Sequence, residues 1–126
     1  MDRAVISKYR LKMRKLLEEE KELVQIFMDT NSLVKGNTYK MMTKCGKKSC
    51  RCEREGKLHL AWRISRSHKG RTESRCIDKD RISECKELTD NYRRFRQARA
   101  ELVKIHTEQI RLVNLMEKAK TKEMFY

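Results

Sequence analysis

The helix-breaking residues of this chain are confined to its middle. The four glycines are Gly36, Gly46, Gly56 and Gly70, and none of the 126 residues is proline. Within a helix, glycine costs about 1 kcal/mol relative to alanine and proline about 3 kcal/mol. The stretches before Gly36 and after Gly70 are therefore free to be helical, and the centre is punctuated by turns. Charged residues make up 40% of the chain and the apolar set 38%. That is too little for a large core but enough for the apolar stripes of a slim helical assembly.

Residues 3–29 predict one amphipathic helix, because Ile6, Tyr9, Met13, Leu16, Leu23 and Phe27 follow alternating steps of three and four. Glu20 is the one polar interruption, and Leu17 and Val24 widen the stripe. Lys and Arg lead while Glu18, Glu19 and Glu20 follow, the wrong order for the helix dipole. Asn31-Ser32 and Gly36-Asn37 end the helix. A second, longer helix is expected over residues 78–120, capped by Asp78 or Asp80. Its stripe runs through Leu88, Tyr92, Phe95, Arg99 and Leu102, then shifts phase through Ile105, Gln109, Leu112 and Met116. At 1.5 Å per residue the helices would span ~40 and ~60 Å. An antiparallel pair would leave the end of the second helix without a partner in the chain. Ile110, Leu112, Val113 and Met116 are apolar there, so a second copy or a larger protein is expected to cover them.

Between the helices the period changes to two. Tyr39, Met41 and Thr43 alternate with Lys40, Met42 and Lys44; Leu58, Leu60, Trp62 and Ile64 then share a face opposite Ala61, Arg63 and Ser65. Ser67-His68-Lys69-Gly70 reads as a hairpin turn, with a third short strand over residues 71–77. The fold class expected is mainly α: two long antiparallel coiled-coil helices with a small antiparallel β zinc-knuckle insertion at the tip. It forms a single domain over 1–126, comprising a helix (1–30), a basic insertion (31–77), a long helix (78–120) and a tail (121–126).

The net charge of +14 is concentrated in residues 31–77, which carry thirteen Lys/Arg against three Asp/Glu. Such a centre suits a polyanion-facing module, and a basic surface kept only for solubility is the plainer reading. No apolar run approaches the roughly eighteen residues of a membrane span. The N-terminus is charged and lacks the apolar core of an export signal, so a cytoplasmic protein is expected. Five cysteines in that setting point to metal or free thiols in preference to disulfides.

Three of those cysteines and a histidine form Cys45-x4-Cys50-x-Cys52-x6-His59. Four soft or borderline ligands at this density fit a structural, tetrahedral Zn2+ site. Lys44, Lys47, Lys48 and Arg51 favour thiolates and offset their charge. The spacing departs from the common Cys-x2-Cys pairing, so reduced thiols in a basic loop and a Cys-x-Cys redox pair compete. Cys76 and Cys85 read as packing residues, either of which could replace His59 as the fourth ligand.

The run Cys45-Gly46-Lys47-Lys48-Ser49-Cys50-Arg51-Cys52, then Gly56-Lys57-Leu58-His59, then Asn91-Tyr92-Arg93-Arg94-Phe95-Arg96 resembles a family of small, largely uncharacterised bacterial and archaeal proteins often encoded near mobile elements. The resemblance covers roughly residues 38–100. Leu60-Ala61-Trp62 stands where the family favours Gly-Pro-Tyr. It implies a helix–knuckle–helix layout and says little about biochemistry.

Trp62 and Tyr39 among Lys40, Lys44, Arg51, Arg63 and Arg66 suggest a stacking platform with phosphate contacts, although the core of so small a sheet is the plainer place for the Trp62 ring. Lys47, Lys48, Lys69, Arg71, Arg75, Arg93 and Arg94 extend the basic set. No catalytic site is expected: the central carboxylates are only Glu53, Glu55 and Glu73, and neither His68 nor His106 has an obvious nucleophile. The expected function is a zinc-stabilised, non-enzymatic accessory protein that binds DNA or RNA. The alternative is a protein–protein adaptor or inhibitor that uses the helical stripe and the basic tip. A third reading is a detached zinc and coiled-coil piece like those of recombinases.

Overall fold

The structure is a computed structural model and describes residues 3–44, 55–56 and 58–125. The elements are helix α1 (Arg3–Met28), strands β1 (Asn37–Thr43), β2 (His59–His68) and β3 (Arg71–Cys76), a 3-10 turn (Lys79–Arg81) and helix α2 (Ile82–Lys120). They form two compact units, Met1–Thr30 with Phe95–Tyr126, and Asn31–Arg94. Among the described residues no helix is long and apolar enough to cross a membrane.

In the helical unit, α1 half-buries Ile6, Tyr9, Met13, Leu16, Glu20, Leu23 and Phe27, the face set by its three-and-four spacing. On α2, Ala98, Ile105 and Leu112 are buried at seven-residue steps. Phe27 meets Phe95 edge-on, with centroids 5.0 Å apart at 78°. Glu20 sits in the apolar stripe without cost to its hydrogen bonding: one carboxylate oxygen lies 2.8 Å from His106 Nε2, and the other accepts from Gln109 Nε2 at 3.2 Å. These bonds hold the Glu20 carboxyl below the ordinary glutamate range, His106 contributing most.

Two expectations are corrected here. The helix pair lacks the mutual burial of a coiled-coil seam, since α1 contributes no fully buried residue. Close backbone approaches within 8 Å are concentrated instead in the two strand pairings. Knobs-into-holes packing brings facing backbones close along the whole seam, and the helix pair does not show that concentration of close approaches. The fold is therefore two helices and a three-stranded antiparallel sheet, with no clustered metal group among the described residues. Within the stripe of α2, Arg99 is exposed and the neighbouring Ala98 takes the buried position.

The second correction concerns the overhang. The first turns of α2 belong to the sheet unit, so residues 95–120 match α1 in length. Leu112 is fully buried and Met116 half-buried, whereas Ile110 and Val113 are exposed at 61% and 47%. Leu112 is thus core, and no part of a free partner surface.

In the sheet unit the order is β1-β2-β3, antiparallel throughout. Lys69 and Gly70 have φ of +50° and +77°. Two successive positive φ values are the mark of a two-residue type I′ turn, whose twist matches that of the strands it joins. β2 consequently runs through His68, two residues into the expected four-residue turn, while β3 starts at Arg71 as expected and ends at Cys76, one residue short of the expected Ile77. Gly36 is needed for another reason: a Cβ there would lie 2.9 Å from the backbone oxygen of Ser65.

A short polar weld joins β1 to α2. Val34 N donates to the Leu88 carbonyl at 3.1 Å. The Thr38 and Thr89 hydroxyls lie 2.8 Å apart, and Thr89 Oγ1 donates to the Cys85 carbonyl at 2.8 Å. Thr89 is completely buried, so its hydroxyl needs these partners. Asp78 makes no side-chain cap; the chain enters α2 through the 3-10 turn, with Arg81 N bonded to the Asp78 carbonyl at 2.9 Å.

Candidate nucleic-acid interface

Cross-strand partners share a face of a sheet, so the register sorts the expected contact residues. Lys40 pairs with Trp62, Ile64 with Arg75, Arg66 with Glu73 and His68 with Arg71. These eight residues lie on one face with Thr38, which pairs with Ile64. Tyr39 pairs with Arg63 on the other face. The single platform expected to hold both Trp62 and Tyr39 is therefore split between two faces.

The first face is basic, and α2 meets it at Thr38 through Cys85 and Thr89. Lys40 Nζ stands 5.0 Å from the centroid of the half-buried Trp62 ring, a cation–π contact. Glu73 is the one carboxylate on this face. It takes Arg66 in an ion pair at 2.9 Å, and this hydrogen bond holds it below the ordinary glutamate range. Among the described residues, the ion pairs do not include Lys35, Lys69, Arg71 or Arg75. Arg75 adds a weaker electrostatic pull on Glu73, and Lys35, Lys69 and Arg71 are exposed to solvent. An open groove of about 260 Å³ runs between Val34 and Lys35 on one side and Ile64, Arg66 and Arg75 on the other.

The opposite face uses its cation internally. Arg63 Nε donates to Ser74 Oγ at 3.0 Å, and Nη1 lies 2.9 Å from Cys76 Sγ. Tyr39 Oη is 3.2 Å from Ser74 Oγ. These interactions, Ser74 first and Arg63 after it, lower the Tyr39 phenol below its ordinary range. On α2, Arg93 donates to Asn37 Oδ1 at 2.7 Å and Arg94 to Asn91 Oδ1 at 3.4 Å. Arg63, Arg93 and Arg94 are thus tied within the chain. Sequence reasoning missed Lys35 and His68, and Glu73 as partner of Arg66. Counting strand pairs back from Lys69-Gly70 would have found that ion pair.

Of the expected zinc ligands, Cys45, Cys50 and Cys52 lie outside the described residues, as do Lys47, Lys48 and Arg51. His59 opens β2 directly across from Thr43, the last residue of β1. Cys76 stands opposite Arg63, four residues along β2 and ~13 Å away at 3.3 Å per residue. The Cys85 carbonyl bonds Thr38 at 3.3 Å, and Thr38 is farther still along the ladder, opposite Ile64. Of the three candidates for a fourth ligand, His59 is the nearest in sequence to the three cysteines and stands at the end of the β1–β2 pairing.

These features define a class: a helix pair with a three-stranded sheet whose free cations collect on one face. Residues 12–87 match the model of a domain of unknown function, DUF6788, and the chain belongs to that family. The match takes in all three strands and the first residues of α2. No curated protein and no solved structure matches the chain.

Proposed function

We propose that the protein is a non-enzymatic nucleic-acid-binding accessory factor whose working surface is the sheet face carrying Lys40, Trp62, Arg66, Arg71 and Arg75, with Lys35 and Lys69 at its margins. The observation that supports this most is that, among the described residues, Lys40, Arg71 and Arg75 share that face outside any ion pair, with Arg66 already held by Glu73, while Arg63 opposite is consumed by Ser74 and Cys76. Phosphates neutralised by these groups release counterions, so affinity should fall steeply with salt. A Zn2+ ion held by Cys45, Cys50, Cys52 and His59 would brace the segment between Thr43 and His59, and would hold Lys44, Lys47, Lys48 and Arg51 beside the same sheet. The resemblance to proteins often encoded near mobile elements fits a larger cytoplasmic machine as the setting.

The adaptor reading keeps one observation in its favour. Val103, Ile110 and Val113 are exposed on the outer side of α2, where a partner protein or a second copy could dock. Electrophoretic binding to single- and double-stranded DNA and RNA, with and without chelator, separates the two readings. Binding weakened by chelator, together with one zinc per chain, supports the proposal. No binding to any nucleic acid at low salt hands the function to the adaptor reading.

A further inference from the structure

The β1 ladder on β2 ends with Asn37 opposite Ser65. Beyond it, Arg66, Ser67 and His68 pair only with Glu73, Thr72 and Arg71. Residues 66–73 therefore form a free two-stranded ribbon, closed by the Lys69-Gly70 turn. Only Glu73 in it is even half-buried. One side of the ribbon carries Arg66, His68, Arg71 and Glu73, and the other carries Ser67 and Thr72. The one carboxylate is already bound to Arg66.

We propose that this ribbon enters the major groove of B-form DNA, which makes duplex DNA the preferred ligand of the basic face; the proposal rests on the nucleic-acid reading above. The dimensions agree. Three residue pairs at 3.3 Å extend the ribbon ~10 Å past the end of β1. The B-form major groove is about 8.5 Å deep and about 12 Å wide, and it admits a two-stranded ribbon. The chemistry agrees as well. Arg71 and Lys69 offer donors to guanine O6 and N7, Ser67 and Thr72 offer hydroxyls to either base type, and Lys35 and Arg75 flank the ribbon as phosphate contacts. The A-form major groove of RNA is too narrow for this entry. Single strands are bound by stacking on aromatic rings, and residues 66–73 contain no Phe, Tyr or Trp, while Trp62 lies under Lys40.

The test uses the full chain with zinc and a 20-base-pair DNA duplex, the same sequence as RNA duplex, and each DNA strand alone, all followed by fluorescence anisotropy. Dimethyl sulfate then probes guanine N7 in the major groove and adenine N3 in the minor groove. The expected result is at least tenfold tighter binding to duplex DNA than to the other two, with protection of N7 and not of N3. Arg71→Gln is expected to lose the N7 protection and about tenfold in affinity. Should that variant fold poorly by Trp62 fluorescence, Lys69→Asn serves instead, because Asn-Gly suits a type I′ turn better than Lys-Gly; it should keep the fold and weaken duplex binding. Equal binding to all three ligands, or protection of N3 alone, would overturn the ribbon proposal and leave nucleic-acid binding standing. Absence of binding to every probe would overturn both.

Discussion

The weld between β1 and α2 makes a quantitative expectation. Thr89 is fully buried, and its hydroxyl both donates to the Cys85 carbonyl and meets Thr38 Oγ1, each at 2.8 Å. The arrangement that satisfies both hydroxyls has Thr38 donating to Thr89 and Thr89 donating to Cys85. Thr89→Val keeps the volume and deletes both bonds, at a net 0.5–1.5 kcal/mol each, so it should cost about 1–3 kcal/mol. The loss is softened because the Thr38 hydroxyl can turn to the Cys85 carbonyl, 3.3 Å away. Thr38→Val removes one bond and should cost about 1 kcal/mol. The double variant should then lose about 1 kcal/mol less than the two singles together, because the shared bond is counted twice. At roughly 4 °C per kcal/mol, Thr89→Val should melt ~4–12 °C below the parent. Trp62 is the only tryptophan and lies on the sheet, so its fluorescence reports this unit while circular dichroism follows the helices. Additive costs, with a coupling under about 0.3 kcal/mol, would refute the hydrogen-bond chain.

Three further substitutions probe other parts of the fold. Leu112→Ala, at a fully buried site, should cost about 2–5 kcal/mol, while Ile110→Ala at a 61% exposed site should stay within about 0.5 kcal/mol; chemical denaturation decides, and equal costs would restore the free-overhang picture. Gly36→Ala should cost about 1–3 kcal/mol, since the new methyl meets the Ser65 carbonyl, which is read from the same Trp62 melt. Glu20 titrates below its ordinary value in the fold, so its contribution is present above the unfolded pKa of about 4.3 and fades as pH falls through the lower folded value. Glu20→Gln should therefore flatten the acid side of the stability profile, followed by chemical denaturation across the acid range, and an unchanged acid limb would contradict this.

Much of the fold is legible in the sequence because local rules dominate it. The absence of glycine and proline at both ends, with three-and-four spacing, marks α1 within a residue or two, and the expected end of α2 at Lys120 is where it stops. Alternation separates Trp62 and Ile64 from Arg63 and Ser65 as found. What escapes depends on register and on shared use of one helix. Tyr39 and Trp62 can be placed on opposite faces only by knowing that Lys40 pairs with Trp62. The overhang follows from whole helix lengths, and a length does not tell that Leu88 and Thr89 are spent on the sheet. The coiled-coil reading fails similarly, because a heptad-like stripe fixes which face is covered but not how closely two helices approach.

The most direct test of the central claim compares two variants of equal charge. Arg71→Gln/Arg75→Gln alters the sheet face, and Arg96→Gln/Arg99→Gln removes two exposed arginines of α2. Duplex binding is measured by anisotropy across a salt series for both and for the parent. The sheet variant should flatten the log–log slope by about 1.8, near 0.9 for each phosphate no longer neutralised, and the helix variant should leave it unchanged. Equal effects from both would mean that net charge alone drives binding, and the sheet face would lose its claim to be a site.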